Sequence, residues 1–153
     1  MELKEALIRA VEEVFPLFGM NPKYVREEET PLLTSAADFN VLNSFAQTLQ
    51  GNIIFGFERT RALKIASLTK GENLLALDLD SKITIGEIAT LAVNIAIGKY
   101  KTVNTIYISS PVLITGDNIQ TMISHVKATK LFFELQEDFV SVAYHIEQNE
   151  ELM

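Results

Sequence analysis

The feature that most constrains this chain is a change of hydrophobic period that occurs twice. From its start, Leu3, Leu7, Ala10, Val11, Val14 and Phe18 recur at three- and four-residue steps, with Lys4, Arg9, Glu12 and Glu13 between them. That stripe is an amphipathic helix lying on a sheet and ending near Pro16–Gly19. The period then falls to two. Val41–Leu49 and Gly51–Glu58 alternate, the latter with Ile53, Phe55 and Phe57 on one face, which predicts an antiparallel pair turning near Gln50–Gly51. Between helix and pair, residues 21–38 are polar, with Pro22, Pro31 and the triplet Glu27–Glu29, and read as a loop or short edge strand.

Arg59–Thr69 is a short helix closed by Gly71. A second long helix starts around Asp80–Thr84 and runs to about Lys99, with Ile85, Ile88, Leu91, Ala92, Ile95 and Ala96 on its buried side. Thr105–Thr115 is strand-like up to the turn Gly116–Asp117–Asn118, and Lys130–Gln136 with Phe139–Glu147 makes a final hairpin around Glu137–Asp138. A long helix followed by antiparallel strands in each half predicts an α+β fold. It would be a duplicated unit with long helices packed on a mostly antiparallel sheet, although no residue-level repeat accompanies it.

The length, 153 residues, suits one domain covering 1–153. At 48% hydrophobic and 22% charged the chain has the apolar side chains for a core, so disorder is excluded as its main state. Lys and Arg number 13 against 20 Asp and Glu, and no basic stripe is present, which argues against nucleic acid as a partner. The absence of cysteine excludes a disulfide framework, a thiolate zinc site, an iron–sulfur cluster and a Cys nucleophile, and makes the cytoplasm the default home. Met1–Ala10 carries charge throughout and no apolar run approaches the roughly 20 residues that span a bilayer, so neither a targeting segment nor a membrane is expected.

Most catalytic constellations are missing. His125 stands in a polar stretch, and His145 shares a strand face with Phe139, Ser141, Ala143 and Glu147; neither has a second ligand at metal spacing. There is no GxSxG, no P-loop and no GxGxxG. Phe45, Phe55, Phe57, Phe132, Phe133 and Phe139 fall at strand spacing and are assigned to the core.

What remains is the helix around Glu87. The string Ile85–Gly86–Glu87–Ile88–Ala89–Thr90 is followed by the step Ser110–Pro111. Upstream lie the strand Gln50–Phe57 and the helix residues Ala62–Leu63–Lys64, and Glu137–Asp138–Phe139 fall in the last hairpin. In order and spacing across about residues 5–147, these elements resemble the CheX branch of the CheC/CheX/FliY chemotaxis phosphatases. The family fingerprint is a helical Glu-x-x-Asn with a proline downstream. Glu87 and Pro111 match it, and Thr90 stands where the family has Asn. A second register puts Asn94 on the family Asn, but it puts Leu91 on the Glu and loses the Ile-Gly-Glu-Ile-Ala string.

The resemblance implies a homodimer that docks on a phosphorylated CheY-type receiver domain and promotes hydrolysis of its aspartyl-phosphate. It implies no cofactor of its own, because the Mg²⁺ is held by the receiver. An acyl phosphate is already activated, so aligning one water in line with phosphorus suffices and no nucleophile is required. The family Asn orients that water and the Glu pairs with the receiver's lysine; by resemblance Glu87 is the docking carboxylate.

Thr90 departs from that scheme. Its hydroxyl ends about one bond nearer the helix than an amide, and a misplacement of roughly 1 Å can cost about a hundredfold. A helical threonine also tends to donate to the carbonyl four residues back, here Gly86, which would consume its proton. The replacement therefore predicts weak or absent catalysis. Asn94 offers a substitute, since seven residues at about 100° each place it on nearly the same face as Glu87. The alternative function is a receiver-binding module or scaffold that has lost its catalysis. A small-ligand or flagellar-switch-like structural domain is a third reading without residue evidence. Plainer readings also exist: Glu87 as the capping-box partner of Thr84, Asn94 as a solvated residue, Pro111 as a strand-shaping residue.

Overall fold

The computed structural model describes residues 1–100 and 106–148. Helix α1 (Leu3–Val14) buries Leu3, Ala6, Leu7, Ala10, Val11 and Val14. A 3₁₀ turn over Phe15–Phe18 follows and is stopped by Gly19 at φ 81, a left-handed conformation that costs glycine nothing. Then come β1 (Lys23–Thr30), β2 (Leu33–Ser35), β3 (Phe39–Ala46), β4 (Leu49–Phe57), α2 (Arg59–Lys70) and α3 (Leu79–Tyr100). The chain ends with β5 (Tyr107–Ile108), β6 (Val112–Thr115), β7 (Thr121–Ser124), β8 (Ala128–Leu135) and β9 (Asp138–Gln148).

The main sheet runs β1-β8-β9-β4-β3, and β5 and β6 share the far edge of β3. Every pairing is antiparallel. The duplication is present in this topology. Each half is a helix, an edge strand, a short ribbon strand and a hairpin: α1, β1, β2, β3–β4, then α3, β6, β7, β8–β9. Each edge strand pairs with the other half's hairpin, β1 on β8 and β6 on β3. The hairpins join at β4–β9 and the ribbon strands pair with each other. Both hairpins turn over two residues, Gln47–Thr48 and Gln136–Glu137, with Gln47 at φ 73 and Gln136 at φ 55.

Helices α1 and α3 cover one face of the sheet, over a core that includes Phe15, Phe39, Phe55, Phe57 and Phe133. The ribbon β2–β7 covers part of the other face, over Leu33, Ile54, Ala128 and Ala143. Gly56 makes that approach possible, since a Cβ there would stand 2.8 Å from Ser35 Oγ and 2.9 Å from Ala37 Cβ.

Several expectations are corrected. Residues 21–38 hold β1, a full eight-residue edge strand, and β2; β1 is almost wholly exposed and pairs on one side only, so it has no apolar alternation. The β3–β4 turn lies at Gln47–Thr48, with Gln47 at φ 73, and Gly51 sits inside β4. Thr105 lies outside the described residues. The strand expected over Thr105–Thr115 is broken at Ser109–Pro111, where proline has no N–H for the ladder. Phe139 is 45% exposed and Phe132 half-buried, because both lie on the sheet face that the ribbon covers only in part; Phe132 carries the Arg26 guanidinium 3.9 Å above its ring instead. Leu91 is 38% exposed, on the outer side of α3. Finally, α3 is by length and composition apolar enough to cross a membrane, contrary to expectation, but half of its apolar window is packed inside the protein.

Candidate functional site

Helix α3 begins at a side-chain cap. Asp78 Oδ1 accepts the Ser81 N–H at 2.8 Å, and Asp78 Oδ2 meets Lys70 Nζ at the end of α2. The Lys70 ammonium, and after it the Ser81 N–H, hold the Asp78 carboxyl well below the usual carboxylate range. Because the helix starts at Leu79, Glu87 is mid-helix, and Thr84 bonds back to Asp80 O at 2.9 Å. The capping-box reading of Thr84 and Glu87 is thereby excluded.

The inner side of α3 buries Ile85, Gly86, Ile88, Ala89, Ala92, Val93, Ala96 and Ile97. The outer side is unusual in also being apolar: Leu79 is 70% and Ile83 45% exposed, and with Leu91 they form a ridge at helical spacing. Glu87 and Asn94 are set into that ridge and are both exposed. No described residue pairs with the Glu87 carboxylate. Alongside runs the bend Ser109–Ser110–Pro111. Gly86 lets the helix approach it closely, since a Cβ there would stand 3.0 Å from Leu113 Cδ2 and 3.7 Å from Pro111 Cγ.

Helical spacing predicts one stripe of Glu87, Thr90 and Asn94, but Thr90 stands apart from it. It is half-buried and its hydroxyl faces β3, where the amide of Asn43 donates to Thr90 Oγ1 at 3.2 Å. In place of the expected donation to Gly86, the Thr90 hydroxyl faces Asn43 Oδ1 at 3.4 Å. The site thus brings Glu87 and Asn94 together on one exposed face beside Pro111 and turns Thr90 away from it. Asn43 and Ser109 escaped the reading of the sequence, since nothing local marks a strand asparagine 47 residues from its partner.

The histidines are placed elsewhere. His145 has Nδ1 2.9 Å from Lys127 O and Nε2 2.9 Å from Glu147 Oε1, so both ring nitrogens are engaged in the sheet. His125 is exposed at the end of the ribbon. Among the described residues no three His, Asp or Glu side chains gather where they could hold a metal ion.

No protein-family model matches this chain, and no curated protein matches it in sequence. Solved structures match it in fold. The chemotaxis protein CheX of Desulfovibrio desulfuricans superposes with a TM-score of 0.84 at 16% identity, over 96% of this chain and 100% of that one. The CheX–CheY–BeF₃–Mg²⁺ complex of Borrelia burgdorferi matches with a TM-score of 0.77 at 19% identity, over 97% of this chain and 99% of that one. A CheC-like superfamily protein from Shewanella sp. PV-4 matches with a TM-score of 0.73 at 16% identity, over 95% and 94%. The fold of this chain is that of the CheX and CheC-like chemotaxis proteins.

Proposed function

We propose that this protein is a CheX-like member of the CheC/CheX/FliY phosphatases. It docks on a phosphorylated CheY-type receiver domain through the outer side of α3 and promotes hydrolysis of the aspartyl-phosphate. The observation that carries this reading is the exposed α3 ridge, in which an unpaired Glu87 and an exposed Asn94 interrupt an apolar row of Leu79, Ile83 and Leu91. An apolar ridge with one free carboxylate suits a partner surface that is apolar around a single cation, as a receiver's lysine beside its phosphoryl group would be. The fold shared with a CheX captured on beryllofluoride-bearing CheY supports the choice of partner.

In this reading Glu87 pairs with the receiver's cation and fixes the register. Asn94, two turns further along the same face, supplies the amide that aligns the water, because Thr90 spends its hydroxyl on Asn43. The acyl phosphate and its metal stay with the receiver, and this chain contributes docking and orientation. The protein acts in the cytoplasm as a homodimer. The engagement of Thr90 also favours a second reading, a receiver-binding module whose catalysis is gone.

The test is the decay of phosphorylated receiver domains from the same genome, each alone and with this protein added. Faster decay is the expected result, and it must vanish in Glu87→Ala. Unchanged decay with binding that depends on phosphorylation selects the binding module. Unchanged decay without binding refutes both.

A further inference from the structure

Asn43 lies on the inward side of β3 with its side chain fully buried, among the apolar residues of the main core. The inward row of the equivalent strand in the other half, β8, is Leu131, Phe133 and Leu135. A carboxamide in such a row is costly unless its bonds are made, and here they are. The Nδ2 amide of Asn43 donates to Thr90 Oγ1 at 3.2 Å and to Ser109 O at 3.3 Å, and Oδ1 stands 3.4 Å from the same threonine oxygen. One buried side chain therefore ties helix α3 to the Ser109–Pro111 bend. The bend is in turn fixed to β3, with the Ser109 N–H donating to Ser44 O at 2.8 Å and Ser109 Oγ accepting from the Ser44 N–H at 2.9 Å.

We infer that Asn43 is a positioning residue: through Thr90 it locks α3 against the Ser109–Pro111 bend and holds Glu87 and Asn94 at a fixed distance from the Ser110–Pro111 rim. The inference rests on the docking role proposed for that face. It also assigns Thr90 a task, because a hydroxyl at position 90 is the partner the buried amide needs. A helix and a bend that moved independently would present Glu87 and the rim in many relative arrangements. A partner touching both would then have to pay for their ordering on binding.

The test compares Thr90→Val, which keeps the shape and removes the hydroxyl, with Thr90→Ser, which keeps the hydroxyl, and adds Asn43→Leu. Two quantities are read: affinity for a beryllofluoride-activated receiver domain that the wild type binds, and exchange of the Ser109 amide relative to that of Val142 in the centre of the sheet. Thr90→Val and Asn43→Leu should speed Ser109 exchange and weaken binding, each by about tenfold, while Thr90→Ser stays within about twofold of wild type. Val and Ser variants that exchange alike overturn the lock. Exchange that separates them while affinity does not overturns the positioning role. If the wild type binds no activated receiver, the docking reading has failed, and the exchange measurement still decides the lock.

Discussion

The two halves of this protein are the same unit folded twice, yet one is closed and the other open. In the first half, α1 spans 12 residues, and four of the five charges along it meet neighbours: Lys4 meets Glu27 of β1, Arg9 meets Glu5, and Glu13 meets Lys99. Its edge strand β1 pairs with β8 along its length, with one register shift between Tyr24 and Arg26. In the second half, α3 spans 22 residues and its outer side is an apolar ridge bearing Glu87 and Asn94. Its edge strand is split into β5 and β6 by the Ser109–Pro111 bend. Both edge strands are entered through a proline, Pro22 before β1 and Pro111 before β6. The comparison shows where a repeated fold can carry a site: packing is completed in one copy and left unfinished in the other.

The seam between the halves should be the most sensitive place to break the arrangement. At Gly51, where β4 meets β9, φ is 133 and a Cβ would stand 1.9 Å from His145 O, a backbone atom that cannot turn aside. Gly51→Ala is expected to destabilise by more than about 3 kcal/mol, read as loss of the cooperative urea transition; a wild-type midpoint would contradict the geometry. Next comes the buried pair that fastens α2 to the β8–β9 turn: Arg61 Nε to Asp138 Oδ1 at 2.7 Å, with Nη2 on Leu135 O at 3.0 Å. Asp138→Ala strands a guanidinium in a dry site and should cost about 3–5 kcal/mol by chemical denaturation. A loss below about 1 kcal/mol would mean that water and the remaining bond to Leu135 O satisfy the guanidinium.

The open half should respond differently. Glu87→Ala should leave stability within about 0.5 kcal/mol, since the carboxylate is exposed and unpaired, while abolishing receiver binding. The matching change in the closed half, Glu27→Ala, removes a bond to Lys4 that is exposed on both sides and should cost at most about 1 kcal/mol, with binding untouched. Equal effects of the two on binding would place the docking surface elsewhere.

The same contrast explains what the sequence could disclose. The helices are legible because Leu3 to Val14 repeat with the helical period, and β4 because Ile53, Phe55 and Phe57 mark its main-core face, although Ile54 and Gly56 on its other face are buried too, under the ribbon. Strand β1 is not, because both its faces are wet and its order comes from ladder bonds to β8. The assignment of Phe132 and Phe139 to the core alongside Phe133 failed because strand spacing does not say which face is covered, and that depends on where the short ribbon β2–β7 lands. At the site, the exposure of Glu87 and Asn94 followed from helix geometry. The fate of Thr90 did not, since its partner Asn43 arrives from another element and competes successfully with the local bond to Gly86.

The smallest expected effect is a pH dependence confined to one helix start. Helix α1 has no side-chain cap at Glu2, whereas α3 is capped by Asp78. The folded-state pKa of Asp78 is depressed, so its contribution is complete above the unfolded value of about 3.9 and is lost as pH falls below it. Lowering the pH from 5 to about 3 should therefore speed amide exchange in the first turn of α3, at Ser81 and Lys82, relative to the middle of that helix, after correction for intrinsic rates. The first turn of α1 has no capping carboxylate to protonate and should keep its protection over the same range. Asp78→Asn should remove the difference between the two pH values, because an amide caps the Ser81 N–H without titrating, though it gives up the charge that meets Lys70. If acid loosens both helix starts alike, the asymmetry lies in general acid unfolding and the cap contributes nothing specific to the open half.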